Sequence, residues 1–155
     1  MNGLFGRFVG MIFLPVLLLT GQASMAEQMI RSGEYEVHYI VFPTADLNTS
    51  VANKYDLPRG KDRALVNISV LKALQPEDPV TSINAVKASI TGTSENLLGQ
   101  RQTLTFTEIT EGDAIYYLAV LRHADEEYHR VAINVTLPNG KMTELKFQQQ
   151  MYWDR

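Results

Sequence analysis

The chain has 155 residues, a formal charge of −3 and no cysteine. Acids and bases are interspersed along it, which argues against nucleic acid and anionic membrane as partners, because binding phosphates needs a clustered basic surface. Without cysteine neither a disulfide nor a lipid-modified cysteine is available, so the fold must be stabilised by core packing.

Residues 1–26 have the pattern of an export signal. Arg7 precedes an apolar run at residues 8–19, and small residues follow up to Ala26. The run is shorter than the roughly twenty residues that a membrane-spanning helix needs, and Pro15 interrupts it. We predict cleavage after Ala26, a periplasmic location and no stable membrane insertion afterwards, with a retained N-terminal anchor as the alternative. Residues 27–155 are predicted to form one domain.

The first element after the leader is a predicted strand over residues 34–42, where apolar and polar side chains alternate. The segment that follows changes period. Leu47, Val51 and Tyr55 recur at spacings of four, which predicts one face of a short helix, and Asn48 is placed to cap its first turn. An irregular crossover loop is the alternative for this segment.

Period-two alternation resumes after the helix and continues to the end of the chain. Asn139-Gly140 predicts a tight hairpin between the last two strands, because both residues tolerate positive φ angles. The pattern predicts an all-β fold, a seven-stranded antiparallel two-sheet sandwich, immunoglobulin-like in outline, with one short helix in the first long connection. A closed barrel is the alternative. The further predicted strands cover residues 63–72, 81–91, 103–109, 114–122, 131–137 and 143–147.

Four stretches of the sequence carry a family resemblance. They are GEYEVHY at 33–39, RALVNISV at 63–70, NLLGQ at 96–100 and EGDAIYY at 111–117, and the closing stretches LKF at 145–147 and MY at 151–152 fit with them. Together they resemble the motifs of DUF4426, a family of exported bacterial proteins of unknown function, over nearly the whole mature chain. The resemblance implies a bacterial periplasmic setting and no established activity.

The histidines are the first candidates for a metal site. His123 and His129 flank an acidic run, and the spacing predicts a hairpin between them. A loop of four residues would point the two rings to opposite faces, whereas a loop of five would place them side by side, where they could share a cation. Two histidines without a third ligand at a known spacing are a weak signal, so no metal site and no cofactor are predicted.

The candidate binding surface follows from strand counting. If each strand crosses the sandwich once, the connections at 43–62, 93–101 and 123–127 share one end of it, called the long-loop end below. Function concentrates on long loops held by a rigid scaffold, so we expect a binding surface there. The candidate residues are Tyr55, Arg59, Lys61, Asn96, Gln100, Arg101, His123 and Asp125.

The sequence contains no nucleophile motif such as Gly-x-Ser-x-Gly. It therefore favours a non-catalytic binding or adaptor module that acts in the cell envelope, with another periplasmic or envelope protein as its partner. The alternative is a hydrolase or metal-dependent enzyme whose acidic residues converge in a loop pocket.

Overall fold

The computed structural model describes residues 28–73 and 83–153, which form two antiparallel β-sheets packed face to face and one short helix. The predicted export signal and its cleavage site lie outside these residues. The strands are β1 (Gln28–Ser32), β2 (Tyr35–Pro43), β3 (Arg63–Ala73), β4 (Ile83–Ala85), β5 (Ser89–Asn96), β6 (Arg101–Leu104), β7 (Thr107–Glu111), β8 (Ala114–Arg122), β9 (Glu127–Thr136) and β10 (Met142–Met151), and the helix is α1 (Thr49–Lys54).

The two sheets differ in size. The first has the order β1-β2-β3-β8-β7, with β4 also pairing with β3, and the second has the order β10-β9-β5-β6. Buried valines and isoleucines of the two inner faces form the core, among them Val37, Ile68 and Val70 from the first sheet and Ile133 and Val135 from the second. The prediction of an all-β antiparallel sandwich with one short helix is confirmed.

The predicted number of seven strands is wrong, because the described residues contain ten. The predicted strand at 81–91 contains β4 of the first sheet and the start of β5 of the second, and the one at 103–109 joins β6 of the second sheet to β7 of the first. The two breaks are only three and two residues long, so the period-two alternation of the strands on either side hides the passage from one sheet to the other. Strand β1 escaped prediction because it is an edge strand in which only Ser32 is buried.

Tyr117 fixes the corner between β4 and β5. Its hydroxyl accepts a hydrogen bond from the Ala88 amide at 2.9 Å and donates one to Glu108 Oε2 at 3.1 Å, while Lys87 pairs with the other oxygen of Glu108 at 2.7 Å. The side chain is only 4% exposed. Burial raises the pKa of Tyr117, as does the Glu108 carboxylate, so the phenol stays protonated and the hydrogen bonds persist.

We expect Tyr117→Phe to lower the free energy of unfolding by about 1–2 kcal/mol, because the Ala88 amide and the Glu108 carboxylate both lose a partner. Urea denaturation measures the change. Tyr128→Phe is the matched control, since Tyr128 is 39% exposed. Equal midpoints for the two variants would show that the corner does not depend on this hydroxyl.

Helix α1 lies against the outer face of the first sheet. Asn48 caps it, since its side chain accepts a hydrogen bond from the Ser50 amide at 2.8 Å, as predicted. Leu47 and Ala52 pack on Leu65, a buried residue whose neighbours in β3 face the main core. In the described part of the chain no helix has the length and apolar character needed to cross a membrane.

Candidate functional site

The three connections 44–62, 97–100 and 123–126 meet at one end of the sandwich. The amide of His123 donates to the carbonyl oxygen of Asp62 at 3.0 Å, which joins the first connection to the third. Between them lies an open cleft of about 310 Å³. It is lined by Asp62, Asn96, Gln100, Arg101, Gln102, Arg122, His123, Ala124, Glu127 and His129.

Asn96 builds the turn between β5 and β6. Its Oδ1 accepts from the amides of Leu98 at 3.1 Å and Gln100 at 2.9 Å. Its Nδ2 donates to Gln100 Oε1 at 2.8 Å and to Glu127 Oε1 at 2.7 Å. Gly99 has φ +78°, a conformation that favours glycine, and completes the turn. One buried side chain, 4% exposed, therefore sets the shape of the whole turn.

The turn presents two leucines to solvent. Leu97 is 58% exposed and Leu98 is 83% exposed. Leaving a leucine side chain in water forgoes about 1.5–3 kcal/mol of burial free energy. Since Asn96 fixes the backbone around them, the leucines are held in place at the rim of the cleft.

Glu127 and His129 support the turn from below. His129 Nε2 lies 2.9 Å from Glu127 Oε2, and its Nδ1 lies 2.7 Å from Ser94 Oγ. The Ala124 amide also donates to Glu127 Oε2, at 2.8 Å. Burial raises the pKa of Glu127, but the hydrogen bonds from Ala124, His129 and Asn96 outweigh it and hold that pKa below its usual value. Glu127 is therefore a carboxylate that ties β9 to the turn.

Ser94, His129 and Glu127 contact one another in the order serine, histidine, acid, as in a catalytic triad. The serine and the histidine are nevertheless too deeply buried to act in one. Ser94 is 1% exposed and His129 is 2% exposed, so a substrate cannot reach the serine oxygen, as nucleophilic catalysis requires. The arrangement is a buried support for the cleft.

The opposite wall of the cleft joins the two sheets. The side-chain amide of Gln102 donates to the backbone oxygen of Arg122 at 2.8 Å and accepts from its amide at 3.0 Å. Arg101 pairs with Glu95 at 2.7 Å. The guanidinium of Arg122, by contrast, has no acidic partner within residues 28–73 and 83–153, and it is exposed. The cleft therefore offers a cation that is not neutralised by the described chain.

The structure brings most of the predicted site residues to this end. Four of them line the cleft, namely Asn96, Gln100, Arg101 and His123. Two more contact Trp153 beside it. The Nζ atom of Lys61 lies 4.3 Å from the centroid of the indole ring, and Asp125 Oδ1 accepts from the Trp153 amide at 2.9 Å.

Tyr55 and Arg59 are not among the cleft residues. The hydroxyl of Tyr55 donates to Glu111, the last residue of β7. Arg59 donates to the carbonyl oxygen of Ala45 at 2.6 Å and to Thr49 Oγ1 at 2.9 Å. Both side chains secure α1 and its flanking loop, because the first long connection folds back over the outer face of the first sheet.

The hairpin predicted between His123 and His129 is wrong. His123 follows β8 in the first sheet, whereas His129 lies in β9 in the second. Alternation alone does not show that the chain changes sheets between them. Both residues line the cleft, yet among the residues that the structure describes no group of three or more histidines and carboxylates is placed to hold a metal ion.

Sequence reasoning missed the exposed leucines, the Glu127 carboxylate and the Arg122 cation as parts of this site. The sequence did contain a signal for the exposed leucines. Leu97 and Leu98 directly precede Gly99, and apolar residues in such a turn lie at the surface and not in the core. The role of Glu127 had no such signal, because it depends on a contact with Asn96, which lies in a separate segment of the chain.

Comparisons with known proteins agree with this fold. The model of a domain of unknown function, DUF4426, matches residues 29–154. No curated protein matches the chain. Among solved structures, a DUF4426 family protein from Pseudomonas aeruginosa PAO1 superposes with a TM-score of 0.70 at 27% sequence identity, covering 83% of this chain and 97% of the other.

The fold also resembles FetP from uropathogenic Escherichia coli strain F11. The as-isolated protein, expressed recombinantly in the E. coli periplasm, gives a TM-score of 0.57 at 13% identity, with 84% of this chain and 97% of FetP covered. A copper-bound single-residue variant of FetP gives 0.59 at 14% identity, with 83% and 97% covered. At this level of identity the likeness shows the fold alone.

Proposed function

Because the chain belongs to the DUF4426 family, a domain of unknown function, we propose that it is an exported, non-catalytic binding or adaptor module of the cell envelope. The observation that carries the proposal is the pair of exposed leucines held by Asn96 at the rim of a polar cleft. The binding surface is the long-loop end, and the ligand is a segment of another envelope protein.

The side chains around the cleft indicate which residue types the partner segment presents. Leu97 and Leu98 offer apolar area, which favours an apolar side chain on the partner. Arg122, on the opposite wall of the cleft, has no acidic partner in the described chain, and a guanidinium prefers a carboxylate that it can contact through two N–H groups. The expected partner therefore presents an apolar residue to the leucines and an acidic residue to Arg122.

Two observations support export. Residues 1–26 have the charge, length and small-residue pattern of a cleaved signal. FetP, whose fold is similar, was obtained from the periplasm of E. coli. A protein that works in this compartment without cysteine relies on packing and hydrogen bonds to present its loops.

No observation favours the enzymatic alternative as a second candidate. Asp62 and Glu127 both line the cleft, as an acidic loop pocket would require. Three donors nonetheless occupy the oxygens of Glu127, namely Asn96, Ala124 and His129, so its carboxylate is already engaged within the protein. The copper bound by the FetP variant is a property of that protein.

The test is capture of the partner from the native envelope after mild cross-linking. We expect the double variant Leu97→Ser/Leu98→Ser to recover at least tenfold less of the partner than the wild type does, because both apolar contacts are removed. Arg122→Ala should weaken recovery of the same partner. The leucine variant should melt no lower than the wild type, since the replaced side chains are exposed.

Met29→Ser is the matched control. Met29 is 44% exposed and lies in β1 of the first sheet, outside the long-loop end. Recovery of the same partner by the leucine variant at the wild-type level would exclude the long-loop end as the binding surface. An equal loss of the partner with Met29→Ser would show that the partner does not depend on the two leucines in particular, and would exclude a specific site as well.

A further inference from the structure

Strand β10 is an uncovered edge of the second sheet. It has ten residues, Met142–Met151, without proline or glycine. It pairs with β9 on one side and, in the part of the chain that the structure describes, with no strand on the other. The edge strands β1, β6 and β7 have only five, four and five residues. A long, regular edge strand is a template for pairing with another strand.

The backbone direction of β10 is set by its pairing with β9. The Leu137 amide donates to the Lys141 carbonyl at 2.9 Å, so the odd-numbered residues that follow bond to β9. In an antiparallel ladder the bonding side alternates along the strand. The N–H and C=O groups of Met142, Glu144, Lys146 and Gln148 therefore face the free edge.

The contacts of the inner face hold this edge in place. Phe147 stacks on Tyr39 of the first sheet with ring centroids 5.0 Å apart. Thr143 Oγ1 donates to Ser32 Oγ at 2.9 Å, and Leu145 is buried in the core. The strand is thus fixed before any partner binds, which lowers the entropy cost of association.

The outer face of β10 carries one acid and one base two residues apart. Glu144 and Lys146 form an exposed ion pair at 2.9 Å. A lysine on an edge strand normally deters pairing, but here the adjacent carboxylate makes the strand complementary to itself. If an antiparallel copy pairs with Leu145 opposite Leu145, each Glu144 lies opposite Lys146 of the other copy.

The neighbouring registers are penalised. A register centred on Lys146 places two lysines opposite one another, and one centred on Glu144 places two glutamates opposite one another. Like charges directly opposite each other destabilise a strand pair, while opposite charges stabilise it. The charge pattern therefore selects the register centred on Leu145, and in that register Glu144 and Lys146 occupy hydrogen-bonded positions.

We propose that β10 is the interface of a homodimer in which two copies pair through this strand, so that the two second sheets join into one continuous eight-stranded sheet. The two ion pairs between Glu144 and Lys146 set the register. The interface is distinct from the long-loop end, so replacing Leu97 and Leu98 leaves the dimer intact.

Sedimentation equilibrium of the exported protein tests the proposal. We expect a dimer for the wild type. Glu144→Lys and Lys146→Glu should each weaken dimerisation roughly tenfold or more, because each variant opposes like charges at two positions. The double variant Glu144→Lys/Lys146→Glu restores both pairs with inverted signs and should dimerise like the wild type.

Folding of the variants is checked by thermal melting, since Glu144 and Lys146 are exposed and their replacement leaves the core intact. A wild-type protein that is monomeric at all accessible concentrations would overturn the proposal. So would a dimer that withstands both single reversals, or a double variant that stays as weakly associated as the singles.

Discussion

Asn96→Ala is expected to lower the free energy of unfolding by about 3 kcal/mol, the largest effect of any polar substitution considered for this protein. The variant leaves the partly buried amides of Leu98 and Gln100 without their acceptor and removes a donor from Glu127. Each buried group that loses its partner costs roughly 1–3 kcal/mol, and partial access of water to the turn limits the sum. Urea denaturation followed by circular dichroism measures the change.

Two further variants separate the contributions of Asn96. Asn96→Asp keeps the acceptor for the two amides but loses the donor and places a second carboxylate beside Glu127, so we expect an intermediate loss. Asn139→Ala is the control in a different exposed turn, where Asn139 accepts a hydrogen bond from the Lys141 amide at 3.0 Å. Similar losses for Asn96→Ala and Asn139→Ala would contradict the central role of Asn96.

Glu127→Gln is expected to cost about 2 kcal/mol at pH 7, because hydrogen bonds to a charged acceptor are worth roughly 1.5–3 kcal/mol. Its amide group presents a donor where the carboxylate accepts from Ala124, His129 or Asn96. At least one of those three contacts must then be lost. The effect is specific to the charge and hydrogen-bonding capacity of the side chain, since its size is unchanged.

The effect of Glu127→Gln should depend on pH. The pKa of Glu127 is lower in the folded protein than its usual value, so the carboxylate stabilises the fold fully above the unfolded pKa of about 4.3. That stabilisation declines as pH falls through the lower folded pKa. We therefore expect the difference between wild type and Glu127→Gln to shrink between about pH 5 and pH 3.

Urea midpoints at several pH values in that range test the dependence. Asp113→Asn, in the exposed turn between β7 and β8, is the control and should stay close to the wild type throughout. A difference between wild type and Glu127→Gln that is constant with pH would show that Glu127 acts through its shape and not through its charge.

The fold class could be predicted from the sequence because alternation of apolar side chains is a local property of each strand. The buried face of a strand can be recognised from its own residues alone, as with Val37 and Val41 in β2 or Val131, Ile133 and Val135 in β9. The sheet to which a strand belongs, by contrast, depends on pairing with strands that are distant in the sequence. The corners at Lys87 and Phe106 separate successive strands by only three and two residues, so the passage from one sheet to the other is not visible in the alternation of apolar side chains.

The candidate site was predictable to the same extent. Counting connections placed Asn96, Gln100, Arg101 and His123 at one end, because two undetected corners each continue in the direction of the preceding strand and leave the count of crossings unchanged. The position of Tyr55 was not predictable, since it depends on how α1 folds back over the first sheet. The support of Asn96 by Glu127 likewise exists only once β5 and β9 are neighbours.

The two corners have a consequence for how the molecule assembles. Neither layer is made from one uninterrupted stretch of chain, since β4 and β5, and again β6 and β7, belong to different layers. The second sheet therefore cannot be completed until β9 and β10, the last two strands in the chain, are available, and the inner face of the first sheet lacks its full cover until then. Strands that are distant in the sequence pair slowly, because closing the loops between them costs conformational entropy. We expect the protein to fold in a single, all-or-none step once the whole chain is available, and the chain to stay sensitive to proteases until β10 has joined the second sheet.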